Sequence, residues 1–380
     1  MVKRRNALLL VFATSSALFC LQNIYHSGII QSHFADFDLP ITDHVRMVGR
    51  IALHNHSINI NRSAAAAPSA VQASLSGRRD KTASAANEAR GALKGAAGKG
   101  IYTPLWQRRV QNGELGGNGT YFLAELLQVR IYAEDKAKWT LKELKQWMHY
   151  IFLAGVQHIY LCDHYKYEHE RLDVPLSRYI NLGLVTYYPW SSTRHPMTAQ
   201  IRCYQKMIDD FKHKHTWQIA VDMDEYPYSP IDTREDFLVR YLHNTSASYP
   251  NPVALTEISM NNYLMLGQGD RTKDLVIERI NRMTPKPANI LVKPIYKPSR
   301  VRANIHHNIL KGGRSVSARD SELRMLHYWG ARTQDWGPDN AKTLAITQPM
   351  TRMVEKWASQ VRNSLLAFGE TDAFSRESGP

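Results

Sequence analysis

A chain of 380 residues with 48 Lys and Arg against 34 Asp and Glu carries a formal charge of +14. That length holds one large α/β domain with flanking segments, and the charge admits nucleic acid, anionic membrane or polyphosphate ligands. The basic residues are scattered rather than gathered in a tract, which argues against nucleic acid, and three cysteines exclude a disulfide scaffold. Cys162 and Cys203 either pair or stay as buried free thiols, and no Cys/His spacing of the zinc type occurs.

The amino terminus reads as a membrane segment. Lys3, Arg4 and Arg5 precede an uncharged apolar run at 7–21, and the first charges beyond it are Asp36, Asp38 and Asp43, ahead of Arg46. This asymmetry keeps the tip cytosolic and sends the rest across the membrane. An uncleaved anchor is favoured over a cleaved signal peptide, and its shortness suits the thin membranes of the early secretory pathway. The expectation is a single-pass type II protein of the Golgi membrane, lumenal beyond residue 25. Sequons at Asn55, Asn61, Asn118 and Asn244 are compatible with it. Residues 62–100 are Ala, Ser and Gly with basic interruptions and no aromatic residue, too little to support a core. They read as the disordered part of a stem at 26–120.

From Tyr121 strand and helix signals alternate. A first strand is expected at 127–133. A helix follows from Thr140, with a Thr-x-x-Glu capping box to Glu143, an apolar face from Leu144, Trp147, Met148 and Ile151, and Gly155 as its stop. Strands at 156–162 and 184–188 flank a weaker helix at 176–182 that ends at Gly183. A long helix after Pro196 aligns Ile201, Tyr204, Met207, Ile208 and Phe211. Beyond the strand at 217–221, Asp232 is expected to cap a short helix with Phe237, Leu238, Tyr241 and Leu242. Strands at 255–266 and 290–296 bracket Gly267 and Gly269, which read as a tight turn more readily than as a phosphate loop. Met353, Trp357, Val361 and Leu365 recur at a helical step and end at Gly369. The alternation predicts an α/β fold with a mostly parallel, Rossmann-like sheet flanked by helices, at 121–345, followed by a helix and tail at 346–380.

The chemistry concentrates where the strand at 217–221 runs into Asp222, Asp224 and Glu225. Three carboxylates in four residues repel one another, and a strand end delivers them to the edge of a sheet where ligands bind. Such a cluster suits Mg²⁺ or Mn²⁺, which can hold a diphosphate. The plainer reading is a solvated acidic turn. His306 and His327 follow; a single histidine is more often structural, but an imidazole beside a carboxylate-bound cation is a reasonable further ligand.

Several blocks between Leu127 and Trp329 resemble glycosyltransferase family 92 in content and order. Val129-Arg-Ile-Tyr-Ala-Glu134 is similar to the family's first strand and its acidic end, and Gly155-Val-Gln-His-Ile-Tyr-Leu-Cys-Asp163 to its second strand. Gln200-Ile-Arg-Cys203 matches a Gln-to-Cys pattern in the next helix. Asp222-Met-Asp-Glu-Tyr226 matches the Asp-x-Asp-Glu-Phe signature with Tyr for Phe. Leu275-Val-Ile-Glu-Arg279, Lys293-Pro-Ile-Tyr-Lys-Pro298, His306 and His327-Tyr328 follow in family order. The family's Asn-x-Ser-x-Asp after the second strand is replaced by His164-Tyr-Lys-Tyr-Glu168, so that loop departs from the pattern.

The resemblance implies a GT-A type fold and transfer of a hexose, galactose favoured, from a UDP-sugar to a glycan hydroxyl of a glycoprotein or glycolipid, with inversion. It implies Asp222, Asp224, His327 and His306 as ligands of Mn²⁺ or Mg²⁺, and Asp222, Lys293, Asp163 and Ile131 at the nucleotide. An exposed, salt-bridging role for Lys293 is the plainer alternative. Glu225 and Glu257 are the candidate general bases, with Asp270 a remote third. A metal-dependent phosphoesterase or nucleotidyltransferase, or a catalytically silent carbohydrate-binding membrane protein, are the competing classes.

Overall fold

The structure, a computed structural model, describes residues 102–372 except 115–119, 136, 191–195, 268, 271, 288, 332–344 and 351. The expected anchor, the 62–100 tract and the sequons at Asn55, Asn61 and Asn118 lie outside the described residues. No helix among the described residues is long and apolar enough to cross a membrane.

The helices are α1 (Leu105–Gln111), α2 (Leu141–Ala154), α3 (Ser177–Asn181), α4 (Pro196–Phe211), α5 (Phe237–Ser248), α6 (Val276–Arg279) and α7 (Arg352–Phe368). The strands up to the middle of the chain are β1 (Tyr121–Val129), β2 (His158–Asp163), β3 (Val185–Pro189), β4 (His215–Ile219), β5 (Glu225–Tyr228) and β6 (Leu255–Leu264). They are followed by β7 (Arg282–Met283), β8 (Asn289–Tyr296), β9 (Val301–Arg302), β10 (Ile309–Leu310), β11 (Arg314–Ser317), β12 (Arg324–His327) and β13 (Gln348–Pro349). Nine of these strands form one sheet in the order β3-β2-β1-β4-β8-β6-β12-β5, with β11 also paired to β6. The pairs from β3 through β4 are parallel, as are β11 and β12 with β6. Strand β8 is antiparallel to both neighbours, and β5 is antiparallel to β12. The fold is therefore mixed α/β with a mostly parallel sheet, as alternation predicts.

Local signals explain most boundaries. Thr140 and Glu143 make the reciprocal capping box of α2, a contribution of about 1 kcal/mol. Gly155 ends that helix at φ 124°, and a Cβ there would stand 2.8 Å from Oδ1 of Asp236. Helix α2 then buttresses β5: the Trp147 indole donates to the Glu225 carbonyl at 3.0 Å and the Tyr150 hydroxyl to the Pro227 carbonyl at 2.6 Å. Trp357, Val361 and Leu365 of α7 are buried, as their spacing implies.

Three expectations need correction. The first strand is Tyr121–Val129 rather than 127–133. Glu125 interrupts its apolar run on paper, but the carboxyl accepts from Val221 N at 2.9 Å, so the strand continues through it. Pairing with β2 stops at Val129 and Asp163, so the chain leaves the sheet there. Asp232 does not cap α5, which starts after Asp236 (φ 68°); two arginines, Arg234 and Arg240, occupy the Asp232 carboxylate at 2.8–3.0 Å. Finally, the domain reaches back past residue 121. Helix α1 buries Trp106, whose indole donates to Ser364 of α7 at 2.9 Å.

Candidate active site

Strand β4 ends at Ile219 and β5 begins at Glu225, yet β8, β6 and β12 lie between them in the sheet. In a flat sheet four spacings of about 4.8 Å would set β4 and β5 about 19 Å apart. The connecting segment contains a tight turn, with Glu225 N donating to the Asp222 carbonyl at 2.9 Å. A turn spans under about 7 Å and three extended residues add about 11 Å, so the reach falls short unless the sheet curls. The acidic segment thus crosses the ends of three strands, where a side chain from two of them contacts its carboxylates and one from the third contacts that pairing's imidazole. These are Lys293 on β8, Asn262 on β6 and His327 on β12.

The cluster divides into two linked groups. Asp222 Oδ1 accepts from Gln200 Nε2 at 2.8 Å and Oδ2 from Lys293 Nζ at 2.8 Å, while 32% of its side chain stays exposed. Lys293 is fully buried and also reaches Glu225 Oε2 at 3.0 Å. Burial would lower its pKa, but Asp222 and Glu225 outweigh that and raise it, so the ammonium stays charged. Glu225 Oε2 further accepts from Asp222 N at 2.8 Å. In the second group His327 Nε2 donates to Asp224 Oδ2 at 2.9 Å, and Asn262 Nδ2 donates to His327 Nδ1 at 3.3 Å. The ring packs edge-on against Trp329.

Each expected site residue has a definite place. Asp222 and Asp224 stand together with Lys293, Glu225 and His327. The Nδ1 of His306 donates to the Val292 carbonyl at 3.3 Å, and burial, with the neighbouring Lys293 ammonium against Asp222, lowers its pKa to about 4. Among the described residues no three His, Cys, Asp or Glu side chains converge closely enough to hold a cation unaided. Lys293 is not an exposed cation: its charge is committed to Asp222 and Glu225 inside the protein. Asp163 closes β2 as a brace, accepting from Leu172 N and the Tyr187 hydroxyl, each at 2.8 Å. Burial pushes its pKa up to about 6 against the pull of those hydrogen bonds. Ile131 lines a cleft of about 780 Å³ with Tyr132, Trp139, Arg171 and Leu172.

The two candidate bases are both engaged. Glu225 is 2% exposed and held as described. Glu257 is 2% exposed and accepts from Asn308 Nδ2 and the Ser315 hydroxyl, each at 3.0 Å. Asp270 is exposed, its carboxylate accepting from Thr272. Reading by sequence assigned no role to Gln200, Glu125 or Asn262. A carboxylate inside a buried strand was the available signal for Glu125 and the Gln-to-Cys block at 200–203 for Gln200; nothing local marks Asn262. Cys162 and Cys203 are paired, joining the end of β2 to α4 with Cα atoms 6.5 Å apart.

The sequence model of glycosyltransferase family 92 matches residues 133–367, well over half of the chain, and the protein belongs to that family. It is therefore a glycosyltransferase. Among solved structures the chain is similar to a Bacillus anthracis protein described as a glucose-1-phosphate thymidylyltransferase, in complex with sucrose. That match has 10% identity and a TM-score of 0.26 over 47% of this chain and 72% of the other. A cytidylyltransferase from Leptospira borgpetersenii matches at 9% identity and TM-score 0.30, covering 68% and 99%. GalNAc-T7 with UDP, GalNAc and Mn²⁺ matches at 13% and 0.27, covering 80% and 62%. These superpositions are partial, and the assignment rests on the family alone. Sequence comparison with curated proteins finds no match.

Proposed function

We propose that this glycosyltransferase has a GT-A type catalytic domain and transfers a hexose, galactose favoured, from a UDP-sugar to a glycan hydroxyl of a glycoprotein or glycolipid. In this reading the reaction inverts the sugar and uses Mn²⁺ or Mg²⁺. The observation that carries it is the Asp224–His327 pair. Two cis ligands about 2.1 Å from a small cation lie about 3.0 Å apart; Asp224 Oδ2 and His327 Nε2 are 2.9 Å apart. Such a cation is often held by one or two protein donors, with substrate phosphates completing its shell, which suits a site where, among the described residues, no third His, Cys, Asp or Glu converges. The bound ion would supply charge neutralisation to the departing diphosphate.

The chain's own residues divide the remaining work. Asp224 and His327 would hold the cation through Oδ2 and an unprotonated Nε2; the imidazole then carries its proton on Nδ1, and Asn262, with its amide turned over, orients the ring by accepting that proton. Asp222 turns its exposed edge toward the nucleotide. The cleft at Ile131, with Tyr132 and Trp139, offers apolar and aromatic walls for a nucleoside. Asp163 and Lys293 support the site from behind it. Glu225 and Glu257 are buried and hydrogen-bonded, so neither is put forward as the base. The reading extends to a type II Golgi membrane protein with a lumenal domain, supported by the charge asymmetry around residues 7–21.

The test is a screen of UDP-sugars for slow hydrolysis with Mn²⁺ and with chelator. Turnover of one UDP-hexose that disappears with chelator is the expected result. Hydrolysis of simple phosphoesters at a higher rate, or UDP-sugar turnover indifferent to chelator, would overturn it.

A further inference from the structure

We propose that Gln200, held in place by the Cys162–Cys203 disulfide, is a positioning residue that sets the orientation of Asp222. The inference rests on the donor reading above, in which Asp222 meets the nucleotide. The amide nitrogen of Gln200 spans 2.8 Å to Asp222 Oδ1 and 2.9 Å to the hydroxyl of Tyr204, one turn along the same helix. Tyr204 is buried, so the amide is clamped between a fixed phenol and the carboxylate. Lys293 grips the other oxygen from β8 at 2.8 Å. A carboxylate otherwise turns freely about its terminal bond. Held from both sides, with 32% of the side chain exposed, this one presents its outer lone pairs in a single direction.

The disulfide matters because of where it falls. Cys203 lies one turn after Gln200 and is bonded to Cys162 of β2, beside Asp163. Among the apolar residues that seat α4 on the sheet, Tyr204, Met207 and Ile208 lie further along the helix, while Ala199 is buried ahead of Gln200 and its carbonyl accepts from the Trp190 indole at 3.1 Å. The disulfide is the one covalent tie, among the described residues, between these early turns and β2, and with the Trp190 hydrogen bond it fixes the distance from Gln200 to the strand ends. Lys293 neutralises Asp222 without Gln200, so loss of the amide removes aim rather than charge balance.

The test measures UDP affinity in the presence of Mn²⁺ by calorimetry, with melting temperatures, on the full chain. Gln200→Met should weaken UDP about tenfold or more, the scale of a hydrogen bond to a charged group, with little change in melting temperature. Added to Asp222→Asn it should weaken binding no further, because the two act as a unit. Gln200→Asn keeps the amide but is one carbon too short, and should behave like Gln200→Met; it decides the matter if the latter does not fold. Wild-type protein reduced with a phosphine should lose affinity to a similar degree. Wild-type affinity in both Gln200 variants, or a loss that adds in full to that of Asp222→Asn, would overturn the proposal; reduced protein with unchanged affinity would overturn the disulfide's part. If wild-type protein does not bind UDP with Mn²⁺ at all, the donor reading itself fails and this inference falls with it.

Discussion

His327 Nε2 meets Asp224 Oδ2 at 2.9 Å across 103 residues of sequence, and both belong to segments that sit side by side at the edge of the sheet. The pair is buried on the Asp224 side, where 1% of the carboxylate side chain is exposed. Asp224→Asn keeps an oxygen for the imidazole while removing the charge. Turnover should fall by at least about a hundredfold, since metal stabilisation of a leaving diphosphate contributes several kcal/mol. The melting temperature should move little. A folded variant with wild-type turnover and unchanged Mn²⁺ dependence would sink the cation assignment.

Lys293→Met replaces the buried ammonium with a side chain of similar length. Asp222 and Glu225 then face each other with no counter-charge, and breaking such a buried pair costs about 3–5 kcal/mol. Urea unfolding should show that loss, and Glu225→Gln in the same background should recover part of it. A neutral Lys293→Met would mean the ion pair is not formed in solution.

The buried histidines should draw stability out of the fold at a pH well above the ordinary range of carboxylates. Burial lowers the pKa of His149 to about 3, and of His158 and His215 to about 4. His149 has hydroxyl partners at both nitrogens, Ser364 and Tyr179, and His158 pairs with the Gly183 carbonyl and the Thr186 hydroxyl. The unfolded chain takes up these protons near pH 6.5 and the folded one does not, so these three sites contribute a loss of stability as pH drops from about 6.5 toward 3–4, opposed by buried carboxylates whose pKa is raised, Asp163 to about 6 among them. The slope in that window should be on the order of 1 kcal/mol per pH unit for each histidine. A His158→Gln variant that keeps the wild-type pH dependence would show that this site is open to water.

A chain starting at Tyr102 should fold and bind nucleotide, because the Ala/Ser/Gly-rich tract before it has no means of building a core. A chain starting at Tyr121 should be markedly less stable, because it lacks Trp106. Trp106→Ala isolates that effect and should cost about 3–5 kcal/mol. Equal melting temperatures for the two starts would show that α1 is dispensable.

What could be read in advance depended on how local the cause was. The α2 capping box, the stops at Gly155 and Gly183 and the stripe of α7 are written within a few residues, and the structure has them all. The acidic segment was legible as a strand end, since apolar residues run straight into carboxylates. Of its partners, Lys293 and His327 were reached only through the family resemblance and Asn262 not at all, because strand order chooses them and no short pattern encodes it. Lys293 reads in sequence as a nucleotide contact or as an exposed salt bridge, and only the place of β8 beside β4 makes it a buried partner of the acidic turn. The placement of β1 failed for the same reason: Glu125 is acceptable inside a strand only because Val221, 96 residues away, donates to it.

The stride of residues 220–224 across the strand ends also bears on how the chain folds. Asp222 waits for a lysine 71 residues further on and Asp224 for a histidine 103 residues further on. Until β8 and β12 have docked, the acidic turn is a knot of mutually repelling charge, and closing loops of that length is slow. Maturation of the enzyme and completion of its sheet are then one event. A partly folded chain, still missing its last strands, has no means of capturing a nucleotide sugar early.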